Sequence, residues 1–216
     1  MNTSTVVFGG TFDPVHFGHL RTANELAEVM GYEQVTLMPC GQAYHKATDQ
    51  ASAEQRWQML ALACAAEHNH EWSRLRLDDR ELHRSGPTYT VQTLTDLRAE
   101  LGPDAHLSWV VGQDAAAGIT RWHHWQTLFE LANLIVVARP QEDWPASMSQ
   151  WPAQFMDDAN LFKSRPCGAV YQVCLTPQAI SSSLVRQKIK DRQSIDDLVP
   201  APVVNWIEAT GLYRQR

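Results

Sequence analysis

Short β-branched and apolar runs alternate along this chain with segments whose apolar residues recur every three or four positions. That alternation limits the possible fold more than any other feature. Thr5-Val6-Val7-Phe8, Val35-Thr36-Leu37-Met38, Leu107-Ser108-Trp109-Val110-Val111, Leu134-Ile135-Val136-Val137-Ala138 and the run from Ala169 to Leu175 each read as a strand. The near-continuous apolarity of the Leu107 run is what a strand covered on both faces requires. Arg74 to Leu77 alternates and reads as a further strand. Helical patterns lie between the strands. One runs from about 14 to 30 with Gly31 as its C-cap, and one starts at a Ser52/Gln55 capping box and continues through Trp57, Leu60, Ala61 and Cys64. Another begins at Thr88 or Thr90 with Val91, Leu94 and Leu97 on one side, and Trp122 to Ala132 forms a fourth. Two more follow, one ending near Lys190 and one over about 202–210. This order predicts an α/β fold: a Rossmann-like parallel sheet with helices on both faces, right-handed crossovers and a small C-terminal helical part.

The 216 residues, 44% of them hydrophobic, suffice for a buried core and fit a single domain over 1–216. Residues 141–166 are rich in Pro, Trp, Asp and Ser without a period, and read as a surface insertion. Residues 181–216 read as a C-terminal helical segment. The net charge of −6 argues against a nucleic-acid partner, which would want a basic face. Cysteines 40, 64, 167 and 174 form no Cys-x-x-Cys pair and no zinc spacing, so they read as reduced thiols of a cytoplasmic protein. Neither a signal peptide nor a membrane span is expected.

Ligands of such sheets bind beyond the carboxyl ends of the strands. The unusual residues of this chain gather there. Gly9-Gly10-Thr11-Phe12-Asp13-Pro14-Val15-His16-Phe17-Gly18-His19 follows the first strand. Glycines permit close backbone approach to a ligand, and His16 and His19 share one face if the helix starts near Pro14. A helix N-terminus adds unpaired N–H groups, and together these predict a phosphate site. His45 and Lys46 follow the second strand, Gly112-Gln113-Asp114 follows the Leu107 run, and Arg139 follows the next.

These residues resemble a known family. Gly9 to His19 is similar to the N-terminal signature of the nucleotidyltransferase superfamily with the (T/H)-x-G-H motif. Ile180-Ser181-Ser182-Ser183-Leu184-Val185-Arg186 is similar to its second signature, Ile-Ser-Ser-x-x-x-Arg. Gly86-Pro87-Thr88-Tyr89-Thr90, Gly112-Gln113-Asp114, Leu134 to Pro140 and the C-terminal Gly211-Leu212-Tyr213 stand in the order of the bacterial nicotinate-nucleotide adenylyltransferases. The resemblance covers the whole chain. It implies transfer of AMP from ATP to nicotinate mononucleotide, giving deamido-NAD and pyrophosphate.

The same resemblance implies residue roles. His16, His19 and Arg186 would be catalytic. Gly9, Gly10, Thr11, Phe12, His45, Lys46, Gly112, Asp114, Arg139, Ile180, Ser181, Ser182 and Ser183 would join them in binding ATP. Tyr89, Thr90, Trp122 and His123 would form the mononucleotide pocket. Tyr44 and His123 depart from the family's usual proline and tyrosine. No carboxylate cluster builds a metal cage, so Mg2+ is expected to arrive with ATP. Trp57, Trp109 and Trp206 are expected in the core, and His68, His70, His83 and Asp78-Asp79 on the surface. Competing readings are a superfamily adenylyltransferase with nicotinamide mononucleotide or phosphopantetheine as acceptor, and a non-catalytic nucleotide-sensing module. A dinucleotide oxidoreductase is disfavoured, because Gly9-Gly10-Thr11 lacks the Gly-x-Gly-x-x-Gly spacing. The chain could act as a monomer or a homo-oligomer.

Overall fold

The computed structural model describes residues 4–41, 51–65, 72–139 and 146–214, the side chains of 146 and 147 excepted. His45, Lys46, Tyr44, His68 and His70 lie outside the described residues. The strands are β1 (Thr5–Gly10), β2 (Val35–Pro39), β3 (Leu75–Leu77), β4 (Leu107–Gly112), β5 (Asn133–Ala138), β6 (Gln154–Met156) and β7 (Ala169–Cys174). They form one sheet in the order β3-β2-β1-β4-β5-β7-β6, and each neighbouring pair is parallel. Strand order reverses direction between β1 and β4, which opens a crevice at their carboxyl ends.

Side chains of a strand point alternately to its two faces, and two cores follow from that period of two. Val6, Val110 and Ile135 pack with helices α1 (Phe17–Met30), α2 (Ala53–Cys64), α6 (Ala159–Ser164), α7 (Ser182–Lys190) and α8 (Ala201–Thr210). Val7, Trp109, Val111 and Leu134 pack with α3 (Thr90–Leu101), α4 (Gln113–Ala117) and α5 (Leu128–Leu131) on the other face. Burying one such aliphatic side chain contributes about 1.5–3 kcal/mol. No helix among the described residues is long and apolar enough to cross a membrane. All four cysteines are free.

Four expectations are corrected. Helix α1 begins at Phe17 rather than near Pro14, because the chain is still extended at His16, its N-cap. The apolar stripe of α2 is Arg56, Met59, Leu60 and Ala63, one position off the expected one, which leaves Trp57 only half-buried. Trp206 is likewise half-buried, whereas Trp109 is core. Trp122 to Ala132 is not one helix but 3₁₀ turns and the short α5, since His124 adopts left-handed backbone at φ 48° and breaks the run. The stretch read as a surface insertion supplies edge strand β6 and helix α6, which Asp158 caps by accepting from the N–H groups of Asn160 and Leu161. Phe162 of α6 is fully buried.

Candidate active site

Two cavities open at the carboxyl ends of the strands. The larger, about 810 Å³, is walled by His16, Gly18 and His19 from the first loop and helix, Asp114 and Arg139 from the far side, and Ile180 to Ser182. The smaller, about 210 Å³, is walled by Gly9, Gly10, Thr11, Thr90, Trp109 and Trp122, with Glu81 and Thr88 beside them. Gly112 lies on the wall of both.

The first loop is built around two rings. A β-carbon at Gly9 would meet the Trp109 ring at 2.2 Å, and one at Gly10 would meet Phe12 at 2.8 Å. The glycines thus make room for the protein's own aromatics, and both also line the smaller cavity. Phe12 is fully buried at φ 50° and meets the His19 ring edge-on at 4.9 Å between centroids. His16 and His19 stack at 3.7 Å, and the His16 N–H donates to His19 Nδ1 at 3.3 Å. Gly18 is required beneath them: its β-carbon would lie 2.9 Å from His16 Nδ1. His16 is 4% exposed, and its Nδ1 has no hydrogen-bond partner. Burial pushes its pKa down to about 4, so the ring is uncharged at neutral pH. An orphaned buried polar atom costs about 1–3 kcal/mol.

The serine motif closes over this loop. Ser181 caps α7, accepting the Leu184 N–H at 3.1 Å, and Ser182 Oγ donates to the Pro14 carbonyl at 3.0 Å. Arg186 donates through Nη1 to the Asp13 carbonyl at 2.5 Å and through Nη2 to Ser183 Oγ at 3.3 Å. Arg186 therefore supports the loop, and Ser183 holds Arg186. On the opposite side Arg139 pairs with Asp114, and the Arg139 N–H donates to Gln113 Oε1 at 2.8 Å. Gly112, not Asp114, is the N-cap of α4.

In the small cavity Thr90 and Trp122 line the wall. Tyr89 is the N-cap residue of α3, and its ring lies tilted against that of His123, 4.3 Å between centroids.

Several residues of the site carried no assigned role in the sequence. Arg56 is 4% exposed and donates to the Thr11 carbonyl at 2.8 Å and the Gly41 carbonyl at 2.6 Å, bracing the loop from below. An arginine on the apolar stripe of a helix was the available signal. Asp13 is 1% exposed beneath the loop, with Oδ2 unpartnered. Glu81 is buried against Thr93, whose hydroxyl donates to its Oε1 at 2.5 Å, and burial pushes its carboxyl up. Nearby Thr88 Oγ1 is buried without a partner. No spacing in the sequence announces Glu81.

Comparison with known proteins agrees with this geometry. The cytidylyltransferase-like family model matches residues 7–188. A nicotinate-nucleotide adenylyltransferase of Chromobacterium violaceum is 40% identical, covering 99% of this chain and 100% of its own. One from Serratia proteamaculans is 40% identical, covering 96% of this chain and 94% of its own. This chain belongs to the nicotinate-nucleotide adenylyltransferase family. The solved Plasmodium falciparum nicotinic acid mononucleotide adenylyltransferase, in complex with NaAD, shares the fold at 20% identity and a TM-score of 0.73, covering 98% of this chain and 97% of its own. Membership makes the chain a nucleotidyltransferase, an enzyme of the pyridine-nucleotide branch.

Proposed function

We propose that this enzyme transfers the adenylyl group of ATP to nicotinate mononucleotide, releasing pyrophosphate and deamido-NAD. The observation that carries the reading is that two cavities of different size meet at Gly112, with the stacked histidines on the larger. In this reading the large cavity takes ATP and the small one takes the pyridine ring. Thr90 and the Trp122 face suit a carboxylated aromatic ring.

A phosphate oxygen of the mononucleotide attacks the α-phosphorus of ATP, and the bond to the pyrophosphate oxygen breaks. The attacking phosphate monoester has a second pKa of about 6 and is largely dianionic already, so no strong base is needed. The obstacle is the approach of two anions, and fixed donors lower it. His16 suits this task as an uncharged donor on the wall of the large cavity. His19 stands beside it, oriented by the His16 N–H. The protein takes no covalent part.

Among the described residues, no three or more His, Cys, Asp or Glu side chains gather to hold a metal ion. Magnesium, in this proposal, is bound to the triphosphate and neutralises part of its charge. A cytoplasmic setting suits the four unpaired thiols.

Pyrophosphate release from ATP with nicotinate or nicotinamide mononucleotide tests the reading. We expect kcat/KM to favour the acid form by at least tenfold. Equal or reversed values defeat the acid preference, and no release with either acceptor defeats the proposal.

A further inference from the structure

We infer that Tyr213, at the far end of the chain, is a positioning residue for adenylyl transfer: its hydroxyl fixes Asp13, and through Asp13 the placement of His16 and Arg186. This rests on the function proposed above.

Helix α8 ends at Thr210, and left-handed backbone follows at Gly211, φ 68°, and again at Tyr213, φ 66°. Glycine adopts that conformation freely, but a tyrosine does so against steric resistance. Such an outlier persists only where its surroundings hold it. Here the turn sends the phenol inward until it is 7% exposed, and its hydroxyl donates to Asp13 Oδ1 at 2.6 Å across 200 residues of sequence. The same oxygen accepts the Ala51 N–H at 3.2 Å. Asp13 Oδ2 has no hydrogen-bond partner and lies 3.9 Å from Arg186 Nη1, the nitrogen that donates to the Asp13 carbonyl.

Asp13 is therefore gripped three times, by the phenol and the Ala51 N–H on its side chain and by the guanidinium on its backbone. It precedes His16 by three residues, and the Pro14 carbonyl between them is held by Ser182. A rotation of Asp13 moves the loop that Arg186 and Ser182 hold, and with it the histidine that faces the cavity. Burial first, and then the charge of Asp13, push the phenol far above its ordinary range, so it remains a donor at any working pH. The ring alone would suffice for packing. The hydroxyl is a separate element, and its role can be tested separately.

Tyr213→Phe keeps the ring and removes the donor. We expect kcat for pyrophosphate release to fall about 10- to 100-fold, the scale of a small misplacement of reacting groups, with the KM for ATP changed less than about threefold. Combined with Arg186→Lys, the loss should be smaller than the product of the two single losses, because both act through Asp13. Wild-type kcat in Tyr213→Phe overturns the inference, and so do losses that multiply. A second arm needs no turnover: the imidazole nitrogen resonances of His16 should move in Tyr213→Phe, and unmoved resonances overturn the inference. If the wild-type enzyme releases no pyrophosphate from these substrates, the proposed function fails, while the imidazole arm still decides the role of Tyr213.

Discussion

At the amino ends of the strands Arg98 gives its guanidinium hydrogens to the carbonyls of Leu131, Gly102, Pro103, Ala105 and Pro166. Beside it His106 Nδ1 meets the Arg165 carbonyl at 2.7 Å while Nε2 lies 2.8 Å from Ser108 Oγ. Asn133 joins the strands, donating to Arg165 at 2.8 Å and accepting the Ala169 N–H at 2.9 Å. The carboxyl ends are finished differently. Among the described residues, three of the four buried side-chain atoms without a hydrogen-bond partner, Asp13 Oδ2, His16 Nδ1 and Thr88 Oγ1, are there; we have no physical account of the fourth, Trp151 Nε1. Both ends are polar and well packed. One spends its hydrogen bonds on holding the sheet together, and the other keeps some in reserve. Unmet demand, rather than polarity, marks the end where chemistry is done.

That contrast can be broken most sharply at His16. His16→Ala should lower kcat about 10²- to 10³-fold, the cost of one preorganised donor, and leave the melting temperature nearly unchanged. A kcat within fivefold of wild type would sever the link between the unpaired atom and catalysis. Arg98→Ala should do the reverse. Stranding the carbonyls it serves should cost roughly 2–4 kcal/mol in denaturant unfolding, with kcat per folded molecule unchanged.

A pH series sharpens the comparison, because one histidine stands at each end. Burial lowers the pKa of His106, with the Arg98 and Lys163 charges adding to it, and burial takes His16 down to about 4. Both folded-state values lie below the unfolded value of about 6.5, so the stability they contribute is complete above that pH and is lost as pH falls through the folded values. The unfolding free energy should drop as pH falls below about 6.5, by up to about 1.4 kcal/mol per pH unit for each ring between its unfolded and folded values. His106→Gln should flatten that slope, and an unaltered slope would assign the acid sensitivity elsewhere. The smallest effect is expected at Gly18. Gly18→Ala should gain about 0.5–1 kcal/mol of helix stability while its methyl displaces His16 and lowers kcat about tenfold. A variant that is both more stable and fully active would show that the His16 ring tolerates movement.

Legibility in the sequence followed the same division. Strands β1, β2, β4, β5 and β7 were readable because burial on both faces forces a continuous apolar run. Strand β6 was not, since Gln154 and Phe155 are exposed at the sheet edge and carry no such run. The helical reading of Trp122 to Ala132 failed because 3₁₀ turns also repeat every three residues. In the site, the two signature loops were legible as motifs, but the division of labour within them was not. Arg186 also holds the loop that presents His16, with Ser183 bonded to it, a contact the motif does not announce. The braces Arg56 and Tyr213 are distant in sequence from what they brace, and a one-dimensional pattern cannot express a contact across 200 residues.

Gly112 borders both chambers, and nothing lies within 4 Å of where its β-carbon would stand. Its backbone, at φ −73°, ψ 158°, suits any residue. The border between the two cavities can thus be built up methyl by methyl at a single codon without repacking a neighbour. A series of Gly112→Ala, Gly112→Ser and Gly112→Val would measure its width as a graded rise in the KM of the acceptor.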